Sequence, residues 1–135
     1  MFQLILLSLT GLYQLGSIAQ ERNITPPGKR IDVGGYALHI YQKNQHSTIA
    51  SPSAKKRPTI VIDHSLGGVE GYALIDALAE LGSVCIYDRA GYGWSDMSPH
   101  PRTSEVIVGE LDRLLTNAKL EPPYLLVGNS FGTCR

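Results

Sequence analysis

The residues best suited to chemistry lie near the end of the chain, in the run Gly128-Asn129-Ser130-Phe131-Gly132. A serine with a glycine two residues away on each side is the pattern of a nucleophile elbow, a sharp turn from a strand into a helix. Such a turn forces the serine into a strained backbone conformation, and side chains at the glycine positions would collide with the neighbouring backbone. Ser130 is therefore the candidate nucleophile, with its hydroxyl exposed above a sheet.

The residues in front of this motif decide between an elbow and an ordinary turn. The run Tyr124-Leu125-Leu126-Val127 is short and apolar, which is typical of a strand buried on both faces. Glycine and serine are common in loops, so without such a strand the motif would equally fit a plain glycine-rich turn. A strand that leads directly into the motif favours the nucleophile elbow.

The elements before that strand predict a parallel sheet. Two more apolar runs predict buried strands, Thr59–Ile62 and Val84–Tyr87. A helix after the first of them is predicted to end at Gly82 and to bury Leu74, Ala77, Leu78 and Leu81. A second helix, capped by Thr103 or Ser104, has a stripe formed by Ile107, Leu111, Leu114, Leu115 and Ala118. Strands that alternate with helices predict an α/β fold with right-handed crossovers.

An antiparallel hairpin is predicted in front of the parallel strands. Two alternating stretches, Ile31–Val33 and Tyr36–Tyr41, are separated by Gly34-Gly35, which supply a tight turn. The polar stretch 42–57 that follows predicts a loop. Residues 20–28 predict a linker, because Pro26-Pro27-Gly28 breaks any helix. The folded domain is then expected to span residues 29–135.

Composition limits the size and the partners of this domain. The chain has 135 residues, of which 43% are hydrophobic, and this suffices for one modest globular domain. Twelve basic and twelve acidic side chains cancel, so no net charge favours nucleic acid or an anionic membrane surface. Two cysteines are too few for a disulfide-stapled fold, and they do not indicate a metal site.

The first nineteen residues form a separate, uncharged segment. A hydrophobic run is given by Phe2, Leu4, Ile5, Leu6, Leu7, Leu9, Leu12 and Leu15. One interpretation is a secretory signal cleaved after Ala19, although no basic residue precedes the apolar centre. Another is a membrane anchor, slightly short for the ~20 residues that a span needs and diluted by polar residues. A buried core helix fits less well. The segment therefore predicts a membrane-anchored or secreted protein, with the anchor favoured.

Beyond this leader, residues 26–135 resemble the N-terminal part of an α/β-hydrolase, in the branch related to esterases and proline-iminopeptidase-like enzymes. The most specific likeness is the run from Tyr87 to Asp96, YDRAGYGWSD, which is similar to the family's aspartate-arginine-x-glycine-x-glycine-x-serine loop after its fourth strand. The run His64-Ser65-Leu66-Gly67-Gly68 lies where the family carries its oxyanion turn. Such proteins often have an N-terminal hydrophobic anchor, which favours that interpretation of residues 1–19.

The resemblance implies acyl transfer to water, with a small-molecule ester or amide-like substrate and no cofactor or metal. Ser130 would attack the carbonyl, and the backbone amides of Phe131 and Leu66 would hold the oxyanion. A serine at this position argues against the related dehalogenases and epoxide hydrolases, which use an aspartate there. Two residues depart from the family pattern. Asn129 replaces a histidine, and Ser65 replaces a glycine of the oxyanion turn, which bears on the position of the Leu66 amide.

The family's acid and histidine follow the serine along the chain. All four histidines of this chain precede Ser130: His39, His46, His64 and His100. Among them His64 alone is expected near Ser130, and it is a poor candidate for a surrogate base. Asp88 and Asp96 are expected to brace their loop rather than to serve as the acid.

The chain therefore resembles a truncated serine hydrolase that is inactive or nearly so as it stands. A general base is missing from the residues after the elbow, so the Ser130 hydroxyl would remain a weak nucleophile. Two alternatives stay open. One is a non-catalytic binding or regulatory remnant that uses the uncovered edge of the sheet. The other is an acyltransferase built on the same elbow.

Overall fold

A computed structural model describes residues 2–21, 25–44, 57–66 and 70–133 of the chain. Its helices are α1 (Phe2–Glu21), α2 (Glu70–Ala79) and α3 (Ser104–Asn117). Its strands are β1 (Lys29–Asp32), β2 (Ala37–Lys43), β3 (Thr59–Asp63), β4 (Val84–Tyr87) and β5 (Tyr124–Gly128). A single 3-10 turn, Ser130–Thr133, follows β5. The strands form one sheet in the order β1-β2-β4-β3-β5.

The sheet has the mixed topology that the sequence predicts. β1 and β2 form the antiparallel hairpin, and β2 is also antiparallel to β4. β3 runs parallel to both of its neighbours, so that Ile62 lies opposite Ile86 of β4 and Val127 of β5. The carboxyl ends of β3, β4 and β5 therefore meet at one edge of the sheet, which is where open α/β sheets bind their ligands.

Helices cover the two faces of this sheet. On one face the buried residues of α3 pack against Leu38, Val61 and Cys85 of the strands. The predicted stripe of α3 is confirmed, since its members are all buried: Ile107, Leu111, Leu114, Leu115 and Ala118. On the other face α2 packs against side chains that include Ile62 and Ile86. Thr103 is the N-cap of α3, where its side chain accepts a hydrogen bond from the Val106 N–H at 3.3 Å.

The predicted buried face of α2 is wrong for three of its four residues, and only Leu78 of that set is half-buried. Leu74 and Leu81 are 48% and 65% exposed, whereas Gly71, Ile75 and Ala79 are buried. Gly71 allows the helix to lie close to the sheet, because a Cβ there would come within 2.6 Å of the His64 ring. Leu74 and Leu81 then point to solvent, whereas Leu78 is half-buried against the core that contains Ile75 and Ala79. Most of the predicted 42–57 loop, namely residues 45–56, lies outside the described residues.

The predicted membrane anchor is also wrong. Residues 2–21 form the helix α1, but no helix in the described part of the chain is long and apolar enough to cross a membrane. The polar residues that interrupt its apolar character are spread along the helix: Gln3, Ser8, Thr10, Gln14 and Ser17. The expected localisation, membrane-anchored or secreted, is therefore corrected.

Candidate functional site

The turn after β5 brings Ser130 to the carboxyl edge of the sheet in a left-handed backbone conformation. Its φ is +51°, which is rare for a residue with a Cβ and costs of order 1–3 kcal/mol unless the surroundings impose it. The Asn129 N–H donates to the Asp63 carbonyl oxygen at 3.2 Å, and the Gly132 N–H donates to the Asn129 carbonyl oxygen at 2.9 Å. Ser130 is exposed at the surface of this turn.

The two glycines of the motif are required by close packing of the backbone. A Cβ on Gly128 would lie 2.5 Å from the Gly132 carbonyl oxygen. A Cβ on Gly132 would collide with the Asp63 carbonyl oxygen at the end of β3. The turn therefore folds back on itself and onto β3 so closely that a larger residue at either position would force it open.

Leu66 and Phe131 line the same cleft. Leu66 follows Ser65 in the segment after β3, and the remainder of the predicted oxyanion turn, residues 67–69, lies outside the described part of the chain. The cleft has a volume of about 460 Å³ and a largely apolar wall, to which Tyr92, Met97 and Ile107 also contribute. Leu66 and Phe131, the two predicted oxyanion residues, thus line one concave site.

Arg89 connects this site to the sheet, a role that sequence analysis missed. Its buried guanidinium donates from Nη1 to Asp63 Oδ1 at 2.6 Å and to the His64 carbonyl oxygen at 2.7 Å. Nη2 donates to the Ser65 carbonyl oxygen at 2.6 Å. The guanidinium carbon also lies 5.1 Å from the centre of the Phe131 ring. The arginine therefore contacts both segments from which the predicted oxyanion amides come.

Asp88 braces the loop after β4. Its carboxylate lies 3.0 Å from His39 Nδ1 and accepts a hydrogen bond from the Trp94 N–H at 3.1 Å. The Ser95 hydroxyl donates to the Asp88 carbonyl oxygen at 2.6 Å and accepts from the His39 N–H at 2.8 Å. Asp88 and Arg89 do not pair with each other: Asp88 contacts His39 of β2, and Arg89 forms an ion pair with Asp63 of β3.

Asp96 closes the same loop against the hairpin. Its carboxylate accepts a hydrogen bond from the Ala37 N–H at 2.9 Å and pairs with the exposed Arg30. The Ala37 N–H, aided by Arg30, holds the pKa of Asp96 below its usual range. Together with Asp88 it has the bracing contacts expected from the sequence.

The histidines occupy separate environments. His39 is fully buried in β2, and its Nε2 contacts the Pro27 carbonyl oxygen. His64 is buried beside α2, where its Nδ1 accepts a hydrogen bond from the Gly71 N–H at 3.2 Å. Its ring stacks on Tyr72, with 5.7 Å between the ring centres. His100 lines the cleft. His46 lies outside the described residues.

Sequence comparison finds several uncharacterized proteins that are similar to this chain. No family model matches the chain. An uncharacterized vacuolar membrane protein of Saccharomyces cerevisiae is 36% identical over 109 residues, which make up 72% of this chain and 17% of that protein. The uncharacterized protein YqjL of Bacillus subtilis is 50% identical over 46 residues, or 34% of this chain and 18% of that protein. The chain thus spans less than a fifth of the length of these curated relatives.

Solved structures are similar over a larger share of the chain. The enol-lactonase from Burkholderia xenovorans has a TM-score of 0.62 and 25% identity over 77% of this chain and 38% of its own. Proline iminopeptidase from Mycobacterium smegmatis has a TM-score of 0.62 and 24% identity over 77% and 36%. An epoxide hydrolase from Vigna radiata has a TM-score of 0.60 and 18% identity over 77% and 32%. All three have the α/β-hydrolase fold. The present chain therefore has the α/β-hydrolase fold, of which it contains the N-terminal part.

Proposed function

We propose that this chain supplies the nucleophile and the oxyanion donors of a serine hydrolase that acts on an ester or amide-like acyl bond. Ser130 is the nucleophile in this proposal. The backbone N–H groups of Phe131 and Leu66 bind the oxyanion of the tetrahedral intermediate. Backbone amides suit that task because their direction is fixed and they bring no charge of their own.

The conformation of Ser130 is the observation that carries the proposal. A residue with a Cβ adopts a φ of +51° only where its surroundings impose it, and here the imposed turn is closed by Gly128 and Gly132. The result is an exposed hydroxyl at the carboxyl edge of three parallel strands. Strained serines of this kind are characteristic of nucleophile elbows.

The neighbouring cleft suits an apolar group of the substrate. Its wall contains Leu66 and Phe131, so a group bound there would lie next to the proposed oxyanion donors. Both arginines that line it are neutralised, Arg89 by Asp63 and Arg102 by Glu110. A neutral ester with an apolar acyl or alcohol part therefore fits this surface better than a strongly charged one.

In this proposal, the general base does not come from the described residues. His64 uses Nδ1 to accept a backbone hydrogen bond, and its ring is stacked between β3 and α2 on Tyr72. Turning it toward Ser130 would break both interactions. The base and the acid are thus proposed to come from residues beyond Arg135, in the order that nucleophile elbows of this fold follow.

Ester hydrolysis tests this proposal. The 135-residue chain should hydrolyse p-nitrophenyl acetate close to the background rate, because general-base assistance contributes about 10²–10⁴-fold. A form extended beyond Arg135 through the acid and the histidine should hydrolyse it readily. Ser130→Ala should abolish that activity, whereas Ser104→Ala, at another exposed serine, should retain it. An extended Ser130→Ala variant with full activity would show that the elbow is not the catalytic centre.

The same assay examines His64 separately. Strong turnover by the 135-residue chain that disappears in His64→Ala would make His64 the base and refute the proposal that the base lies further along. Gly71→Ala is not a suitable control, because its Cβ would press on the His64 ring. Arg113→Gln is the better control, since Arg113 is exposed on α3 and lies outside the residues that line the cleft.

A non-catalytic binding role is the second candidate, and the edge strand β5 favours it. Leu125, Leu126 and Val127 are all exposed, so the strand offers apolar side chains beside its free edge. A binding remnant would need these residues and not Ser130. If the chain binds a partner through β5, Ser130→Ala should keep that binding and Leu126→Asp should lose it. This pair of results, in a protein without esterase activity, would support the binding role over catalysis.

A further inference from the structure

We infer that Arg89 is a positioning residue that fixes the direction of the Leu66 N–H and joins it to the Phe131 segment. This inference rests on the proposed function, because it concerns the same oxyanion site. Arg89 touches no reacting atom in it. It acts through the peptide groups and the ring that surround it.

The geometry of a trans peptide gives the first step. In a planar trans peptide the carbonyl and the N–H point in opposite directions, so fixing one fixes the other. Arg89 Nη2 binds the Ser65 carbonyl oxygen at 2.6 Å, and this carbonyl shares its peptide plane with the Leu66 N–H. The Leu66 N–H is therefore directed away from the guanidinium. Ser65, which replaces the usual glycine, is thereby held in one orientation.

The preceding peptide is held in the same way. Arg89 Nη1 binds the His64 carbonyl oxygen at 2.7 Å, and this carbonyl shares its plane with the Ser65 N–H. Two successive peptide planes are thus oriented by one planar guanidinium. A lysine has a single ammonium on a flexible stem, so it cannot reproduce the planar fork that reaches several oxygens at once.

The guanidinium is itself held by two further contacts. Nη1 forms a 2.6 Å ion pair with Asp63 at the end of β3, and both side chains are buried. Phe131 lies over the guanidinium, with 5.1 Å from its carbon to the ring centre, which is within the range of a cation–π contact. Displacement of Arg89 would therefore disturb the Leu66 and Phe131 segments together.

The experiment compares Arg89→Lys with Arg30→Lys. Arg89→Lys keeps a positive charge next to Asp63, so we expect the fold to be retained, but it loses the planar fork. Arg30 is the matched control, because its ion pair with Asp96 is exposed and distant in sequence from the elbow. In the extended, hydrolytic form, kcat for p-nitrophenyl acetate should fall about 10- to 100-fold in Arg89→Lys with KM nearly unchanged, because one oxyanion donor is weakened. Arg30→Lys should leave both constants unchanged.

A second measurement needs no catalytic activity. In the ¹⁵N-labelled 135-residue chain, Arg89→Lys should shift the Leu66 and Phe131 amide resonances and lower the heteronuclear NOE of the Leu66 amide, because its peptide plane is no longer held. The strand amides of Val61 and Ile86 should keep their NOE values. An unchanged resonance and NOE at Leu66 would overturn the inference, as would a kcat loss that only matches the loss of folded protein. Failure of Ser130→Ala to abolish activity would refute the proposed function instead, and the amide measurement would still test Arg89.

Discussion

β4 and β5 both run parallel to β3, one on each side of it, but their surroundings differ. Every residue of β4 is buried between α2 and α3, and Ile86 has no exposed surface. From Leu125 onward every residue of β5 is exposed, and Leu126 retains 64% of its surface. Two strands with similar apolar sequences thus have opposite environments in the described part of the chain.

The segments that follow β4 and β5 are held in place by different kinds of contact. Side chains hold the loop after β4, since Asp88 reaches His39 and Arg89 reaches Asp63. Backbone groups hold the turn after β5, through Asn129 and Gly132. The β4 side therefore stabilises the domain and supports the site, whereas the β5 side presents the candidate nucleophile. Substitutions on the two sides should separate stability from function.

The largest difference is expected for truncation of one large apolar residue in each strand. Ile86→Ala should lower the free energy of unfolding by about 2–5 kcal/mol, because it leaves a cavity in a fully buried position. Leu126→Ala should lower it by about 0.5 kcal/mol or less, because its side chain is largely in solvent. Urea denaturation of both variants measures the difference. Equal losses would mean that β5 is covered in solution and that the comparison is wrong.

A smaller effect is expected for the glycine at the end of β5. Gly128→Ala should destabilise the domain by about 1–3 kcal/mol, because its Cβ would lie 2.5 Å from the Gly132 carbonyl oxygen. The stability of the domain would then depend on the backbone packing at the end of β5, although the side chains of this strand are exposed.

Gly109→Ala is the control for this substitution. Gly109 lies within α3, and its nearest neighbour would be at an ordinary contact distance of 3.6 Å, Nη1 of Arg113. The alanine should raise stability by about 0.5–1 kcal/mol, because glycine is unfavourable inside a helix. Thermal unfolding of the two variants should thus show shifts of opposite sign. A Gly128→Ala variant as stable as the parent would show that the turn can open without cost.

The strands and the elbow were predictable because their signals are local. Short apolar runs such as Val84–Tyr87 and Tyr124–Val127 predict strands, and their alternation with helices sets the parallel topology. Burial on both faces was predicted correctly for Val84–Tyr87 and wrongly for Tyr124–Val127, because burial depends on what covers a strand. Gly128 is required by a contact within the motif, with the Gly132 carbonyl oxygen, whereas Gly132 is required by the Asp63 carbonyl oxygen at the end of β3. The motif was recognisable from its spacing, but the reason for its second glycine lies in a distant segment. The fold class and the candidate nucleophile follow from such local signals.

Other features depend on contacts between distant segments. The role of Arg89 arises only when the ends of β3, β4 and β5 are brought together, and its partners lie 24 to 26 residues away in the chain. The buried face of α2 was predicted wrongly because Leu74 and Leu81 were expected inside. Gly71 instead lets the helix approach the sheet with its own face inward. For α1, counting apolar residues overestimated the membrane signal because polar residues are spread along the helix.

The smallest expected effect concerns Glu110, which supports the β4 side from α3. Its buried carboxylate accepts hydrogen bonds from Tyr36 Oη and Arg102 Nη1, each at 2.7 Å. Burial alone would raise the pKa of Glu110, but the hydrogen bonds from Arg102, Tyr36 and Ser98 outweigh it and hold the pKa below the usual value of 4.5. The ionised form is therefore favoured by folding.

The direction of the pH dependence follows from this lowered pKa. The stabilisation by Glu110 is fully present above the unfolded-state pKa and is lost as the pH falls from about 4.5 through the lower pKa of the folded state. Glu110→Gln should cost about 1 kcal/mol at pH 7, since an amide still accepts one of the hydrogen bonds. Below pH 4.5 the variant and the parent should converge. Asp112→Asn, an exposed position of the same helix, is the control. Urea midpoints between pH 7 and pH 3 measure the effect, and a gap that stays constant across this range would show that the charge of Glu110 does not stabilise the loop after β4.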